Sequence, residues 1–200
     1  MNSISIIKRE HRNLIAVLFT LEGLVNEIGE HGKSVDLTVF HGIAYYLDSF
    51  LDRYHHPKET NFLFPAVRTH CPDAGPILDE LGRQHAEGER LLLRLIKALS
   101  AYEFLGEAGF EAFRRAVIVY VKFERNHART EEQEVLPLAI QYLDMADWSR
   151  IDAAFGDHQD PLFGTQPEAE FKDLFRSLSD LVPAPYGLGP ALTSSVPRRK

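Results

Sequence analysis

Cysteine is nearly missing: Cys71 stands alone among 200 residues. An internal disulfide is therefore excluded, as is a metal cage built from several thiolates. Such usage suits a reducing compartment. Positive charge is also in deficit. The net charge is −7 and the only basic cluster is the terminal Arg198, Arg199 and Lys200, which argues against a nucleic-acid partner. No stretch approaches the roughly 20 apolar residues of a membrane-spanning helix. The start, MNSISIIKREHRN, meets Lys8, Arg9 and Glu10 before an apolar run can lengthen, so it reads as neither a secretion signal nor an anchor. Strand-like alternation is lacking too. These absences leave a soluble, cytoplasmic, all-α chain whose 44% hydrophobic content can build one sizeable core.

Helical periodicity dominates what is present. Ile4, Ile7, His11, Leu14, Ile15, Leu18, Leu21 and Val25 share one face of a first helix, 4–30. GEHGKS breaks it, and Ser34 or Asp36 can cap a second helix, 37–68, with Phe40, Ala44, Leu47, Leu51, His55, Glu59 and Phe62 along its stripe. A third, 74–102, capped by Asp73, carries Leu78, Leu81, His85, Leu92, Ile96 and Leu99. A fourth, 109–142, carries Phe113, Ala116, Tyr120, Phe123, His127 and Glu131. Four long amphipathic helices with short turns predict an up-down-up-down four-helix bundle over 1–142. The extension, 143–200, reads as a short helix around Trp148 to Phe155 and a last helix from Pro167 to about Leu181. Phe171, Leu174, Phe175 and Leu178 of that last helix would pack on the bundle's outside, and a flexible Pro/Gly-rich tail follows.

Inside the bundle one pattern occurs twice. YHHPKETNFLFP (54–65) and NHARTEEQEVLP (126–137) align on their final prolines. His55 falls on His127, Glu59 on Glu131 and Pro65 on Pro137, each offset being 72 residues. An earlier histidine, His11 or His85, precedes each pair on the outgoing helix of its hairpin. Residues four apart lie one above the other on a helix. In an alternating bundle, His11 and His85 early on rising helices meet His55 and His127 late on descending ones, at one level near one end. Burying four imidazoles and two carboxylates unpaired costs several kcal/mol per ionised group; a metal centre removes that penalty. Six donors are too many for one tetrahedral zinc and too nitrogen-rich for calcium or magnesium. Two ions sharing both carboxylates use all six, and imidazole with carboxylate suits iron best, with manganese or zinc as alternatives. Pro57 is accommodated as a local bend held by His55 and Glu59.

The order His, His-x-x-x-Glu, His, His-x-x-x-Glu, with HHPKE…LFP and H…EE…VLP, resembles the hemerythrin-like (HHE cation-binding) domains over about residues 5–142. The resemblance implies a non-haem di-iron centre, two oxo- or hydroxo-bridged ions per chain. His11, His55, His85 and His127 would be terminal ligands, and Glu59 and Glu131 bridges. This symmetric set is similar to that of di-iron proteins for iron–sulfur cluster repair and nitrosative stress, without their cysteine-bearing N-terminal segment. Oxygen-carrying hemerythrins have His-x-x-x-His on the third helix and end the last motif in Asp one residue later. Here the third helix reads His85-x-x-x-Glu89, and Glu131 arrives at i+4. More carboxylate lowers the iron potential and favours turnover or the ferric state over reversible oxygen carriage.

The remaining polar residues receive supporting or surface roles. Glu89, one turn after His85, is expected on the inner face as a hydrogen-bond acceptor, an added ligand or a proton relay. His56 is expected at the rim or behind the ligands, and Tyr120 in the core. Glu22 and His41 are expected to pair; His31, His70 and His158 to lie at the surface; Glu132 and Glu134 to face solvent. The functional expectation is a di-iron protein that binds or processes dioxygen, nitric oxide or peroxide in oxidative or nitrosative stress. The alternative is an iron or oxygen sensor, or iron-handling module, signalling through its C-terminal extension, and a third reading is a metal-free interaction bundle.

Overall fold

In the computed structural model, residues 2–157, 160–163, 171, 172 and 174 are described. The first helix, α1, spans Asn2–His31. Helix α2 (37–70) begins at an N-cap where Asp36 accepts a hydrogen bond from the Thr38 N–H, a side chain satisfying a donor that the helix cannot. Helix α3 spans Gly75–Leu105 and α4 spans 107–142. No side chain caps α3: Asp73 lies inside a 3-10 turn, Pro72–Ala74, which leads into the helix, contrary to the expected cap. The short α5, Met145–Gly156, opens with a reciprocal capping box between Asp144 and Asp147. Among the described residues there is no strand, and no helix is long and apolar enough to cross a membrane.

The α3–α4 connection is a tight hairpin. Gly106 adopts φ +60°, which a side chain disfavours, and a Cβ on Gly109 would stand 2.7 Å from the Tyr102 Cα. Both glycines are therefore required by the turn. The two helices pack along each other from there, and α1 lies against α4.

Helices α2 and α4 are not uniform α-helices. Wider π-turns occupy Leu47–His55 and Glu59–Leu63 in α2, and Glu131–Val135 in α4. The last two hold the same place in the repeated motif. Phe64 N–H reaches back to the Glu59 carbonyl, and Leu136 N–H to that of Glu131, each just before a proline. A proline ring clashes with the carbonyl four residues earlier, and a π-turn moves that carbonyl aside. The run before Pro57 acts likewise, with His56 N–H bonded to the Leu51 carbonyl. The two helices pass through all three prolines by widening, α2 at Pro57 and Pro65 and α4 at Pro137, in place of the expected bend at Pro57. One consequence corrects the predicted stripe: Phe62 is exposed, and Leu63 takes its place in the core.

Two apolar clusters result. The larger contains Leu18, Leu21, Phe40, Tyr46, Leu95, Phe113 and Tyr120. The smaller, around Ile7, Leu63, Leu81, Leu136 and Trp148, is closed by α5, whose Asp152 accepts from both the N–H and the hydroxyl of Ser3. After α5, Asp160 accepts from Asn13, from the Tyr46 hydroxyl and from the Leu162 and Phe163 N–H groups, fastening this segment to the bundle. Phe171 and Leu174 are buried against α2, with Phe171 stacked on Tyr45. The remainder of the expected 167–181 helix and the Pro/Gly-rich tail lie outside the described residues, as does His158.

Candidate metal centre

Seven polar side chains sit in the interior at one level of the bundle: His11 from α1, His55, His56 and Glu59 from α2, His85 from α3, His127 and Glu131 from α4. The six residues singled out by the repeat are all among them. The imidazoles meet in pairs through Nε2, His11 with His55 and His85 with His127, each at 3.2 Å. Glu59 lies between the pairs. Its Oε1 is 2.9 Å from His55 Nε2 and 3.7 Å from His11 Nε2, while its Oε2 is 3.4 Å from His85 Nε2.

What turns Nε2 inward is the bond on the other nitrogen. His11 Nδ1 donates to Glu132 at 3.0 Å, His55 Nδ1 to Glu10 at 2.8 Å, and His127 Nδ1 to the Gln84 side-chain oxygen at 3.1 Å. His85 Nδ1 bonds the Thr60 hydroxyl at 2.8 Å. An Nδ1 held by an acceptor fixes the tautomer whose Nε2 offers a lone pair, the usual support behind a metal-bound histidine. None of these four partners is evident from the repeat. Glu132, expected to face solvent, is a half-exposed partner of His11. Glu10 was legible, since Ile7, Glu10, Leu14 and Val17 follow the buried row of α1.

The carboxylates carry the fit test. Glu59 and Glu131 are fully buried, yet no oxygen of either has a well-directed hydrogen bond. Two such orphans in an apolar interior are costly unless a cation lies between them and the imidazoles. The donor atoms fall into two groups, each within 4.8 Å: His11, His55, Glu59 and Glu131; and His56, Glu59, His85 and His127. Glu59 belongs to both, so the set can hold two cations around one shared carboxylate. Nitrogen and oxygen donors without thiolate fit iron, manganese or zinc. A third grouping, His70 with Asp144 and Asp147, is peripheral and already committed to the α5 cap and a 2.7 Å ion pair.

The two groups differ electrostatically. Burial opposes protonation of His11, but its hydrogen bonds to Glu131, Glu132 and Glu59 outweigh it and hold its pKa well above the ordinary value. Burial likewise works against His55, yet Glu59 and Glu10 push it up to about 10. On the other side, burial and the neighbouring His85 lower His127 to about 3, and burial with His85 and His127 lowers His56 strongly. Burial also acts on Glu59, but His55 and the other facing histidines keep it ionised; burial and the charge of Glu59 raise Glu131 to about 7. The carboxylates thus favour the charged form of the histidines on the first side, while burial and neighbouring imidazoles disfavour it for His56 and His127 on the second.

Three expectations are corrected. Glu89 is exposed, because the buried row of α3 runs Leu78, Leu81, His85, Gly88, Leu92, Leu95, and Gly88 takes the inner position after His85. Glu22 and His41 do not pair: Glu22 bonds Arg125 at 2.9 Å and His41 bonds Glu103 at 3.0 Å. For His56 only half of the expectation is corrected: it is 4% exposed, which excludes the rim and leaves a place behind the ligands open. Beside the centre a groove of about 610 Å³ opens between α1 and α4, lined by His11, Ile15, Phe19, Arg12, Arg125 and Arg129.

A four-helix bundle with histidines and carboxylates from all four helices at one level defines the class of bundle proteins that carry cations in their core. Residues 2–139 match the hemerythrin HHE cation binding domain, and the chain belongs to that family. No curated protein and no solved structure matches it.

Proposed function

We propose that His11, His55, Glu59, His85, His127 and Glu131 hold two iron ions, and that the centre binds or processes dioxygen, nitric oxide or a peroxide. The observation that supports this most is that all four histidines are anchored through Nδ1 and converge through Nε2 on two orphan carboxylates. When bound, an iron pair supplies open coordination positions and electrons for such a ligand. The chain's own residues do the rest. Glu10 and Glu132 accept protons' hydrogen bonds from His55 and His11 and so raise the basicity of the opposite nitrogens. The two apolar clusters exclude bulk water from the layer between them, which strengthens every charge interaction there. The groove along Phe19 and His11 is the route by which a small molecule reaches the layer. A role in cytoplasmic stress is part of the same proposal, and the single cysteine suits the reducing compartment it assumes.

Metal analysis of protein purified without added metal, followed by absorption and Mössbauer spectra under each gas and with peroxide, tests the proposal. Two irons per chain and a spectral response to one ligand are expected; silence towards all three ligands refutes it. A sensor reading is favoured by one observation: α5 closes the smaller apolar cluster and is tied to Ser3 at the start of α1, eight residues before His11. If metal loss is signalled through the C-terminal extension, chelation exposes that extension to protease. Identical digestion with and without chelator removes this reading.

A further inference from the structure

We propose that the groove between α1 and α4 binds a linear organic monocarboxylate, its carboxylate held near His11 and its apolar chain running towards Phe19. The groove, about 610 Å³, falls in the range of about 300–1,000 Å³ found for small-molecule sites. Its base reaches the buried His11, and its floor is apolar, with Ile15 and Phe19 from α1 and Ala128 from α4. At the helical rise, Arg12 and Phe19 stand about 10 Å apart along the axis of α1. That length and that floor suit an extended hydrocarbon chain better than a compact ion.

Charge selects the sign of the ligand. Three guanidiniums, of Arg12, Arg125 and Arg129, line the groove against one carboxylate, Glu132, which is already engaged with His11 Nδ1 at 3.0 Å. This local excess of positive charge lies on a chain whose net charge is −7. Arg125 is a fixed wall: it bonds Glu22 at 2.9 Å and lies over the Phe19 ring at 5.9 Å. Arg12 and Arg129 are exposed and form no direct ion pair among the described residues; Arg129 donates to the neutral Asn126 side chain at 3.0 Å. Arg12 follows His11 on α1, and Arg129 stands one turn before Glu132 on α4, so both guanidiniums belong to the end nearest the metal layer. A guanidinium offers a carboxylate two parallel N–H donors, which makes that end the seat of the ligand's charge. A molecule so seated lies across the route to the layer, and occupancy of the groove therefore opposes access to the centre.

The test is calorimetric titration of the full-length protein, as purified, with octanoate, octanamide and inorganic phosphate. Octanoate is expected to bind more tightly than either of the others, by about tenfold or more, the value of charge-assisted hydrogen bonds. Arg12→Gln combined with Arg129→Gln should weaken octanoate by a similar factor, about tenfold, while octanamide is unaffected and helicity is retained, since both side chains are exposed. Phe19→Ala should weaken octanoate and octanamide alike, and Arg90→Gln, on α3 outside the groove, should change neither. Octanoate no tighter than octanamide, phosphate as tight as octanoate, or an equal loss from Arg90→Gln each overturns the proposal. Should the paired variant not fold, octanoate against octanamide on the unaltered chain still decides. The titration does not require iron, so a chain that takes up none refutes the di-iron reading and leaves this test intact.

Discussion

Glu124 offers the sharpest quantitative check on how this interior is built. It lies one turn before His127 on the buried row of α4, fully buried, with neither oxygen hydrogen-bonded. Gly88 forms the wall beside it: a Cβ there would stand 2.8 Å from Glu124 Oε1, so the carboxyl is fitted against bare backbone. Burial, reinforced by the charge of Asp52, raises its pKa from 4.5 to about 8. Between those values the folded metal-free chain keeps a proton that the unfolded chain has released. Stability from this group is therefore whole below about pH 4.5 and is lost progressively as pH rises through 8. Each unit corresponds to about 1.4 kcal/mol, which sets a ceiling of about 5 kcal/mol. Because Asp52 is itself raised to about 7 by burial and by neighbouring acids, part of the loss is shared, and Glu124→Gln should recover about 2–4 kcal/mol at pH 8. For a chain of this size that is a rise in Tm of about 5–15 °C. Thermal melts of metal-free protein and variant from pH 4 to 9 provide the assay. The gain should be near zero at the acid end and grow towards pH 8. A gain that is independent of pH, or a variant less stable at pH 8, would falsify the claim that an ionisable group is trapped there.

Other consequences follow from the same geometry. Glu10→Ala frees His55 Nδ1 and should weaken metal binding about 10–100-fold in chelator competition, with helicity unchanged; unaltered affinity would mean that the Glu10 bond does not support the ligand. Glu59→Ala should abolish uptake of both ions, because its two oxygens face both groups, whereas Glu131→Ala should spare the ion on the His85 and His127 side; equal losses in stoichiometry would contradict this. Loading the His11 and His55 side must displace protons, since the pKa of His55 is pushed up to about 10 against the cost of burial by Glu59 and Glu10. Calorimetric titration in buffers of different ionisation heat should therefore detect proton release, with affinity rising from pH 7 towards 10. Gly109→Ala drives a Cβ into Tyr102 and should cost about 1–3 kcal/mol in denaturant unfolding, with metal stoichiometry unchanged.

The sequence made the bundle and its histidine layer readable because both depend on spacing alone. Apolar stripes set the four helices, and the 72-residue repeat places His55 and His127 with Glu59 and Glu131 at one level. Tertiary partners are different. Whether Glu132 bonds His11, or Gln84 bonds His127, depends on which helix lies opposite, and a single helix's periodicity does not contain that. Other residues were legible had the buried row been followed in alternating steps of three and four. That row reaches Gly88 in α3, where a bare i+4 step from His85 lands on the exposed Glu89, and in α4 it runs Phe113, Val117, Tyr120, Glu124, His127.

The inward turn of His56, expected at the rim or behind the ligands, has a more instructive origin. Reading a fixed helical period assigns consecutive residues to different faces, so His55 inside implies His56 outside. The period itself changes before Pro57, and it changes again before Pro65 and Pro137. A proline that a helix must pass is thus a mark in the sequence that the facing of nearby residues is about to shift. In this chain each of the three marks stands within two turns of a donor to the proposed centre: Pro57 between His55 and Glu59, Pro65 after Glu59, and Pro137 after Glu131. The widened turns and the polar layer are best understood as one device: the prolines impose the π-turns, and the π-turns bring His55, His56 and Glu59 of α2 all to the interior, where a regular helix would turn His56 away.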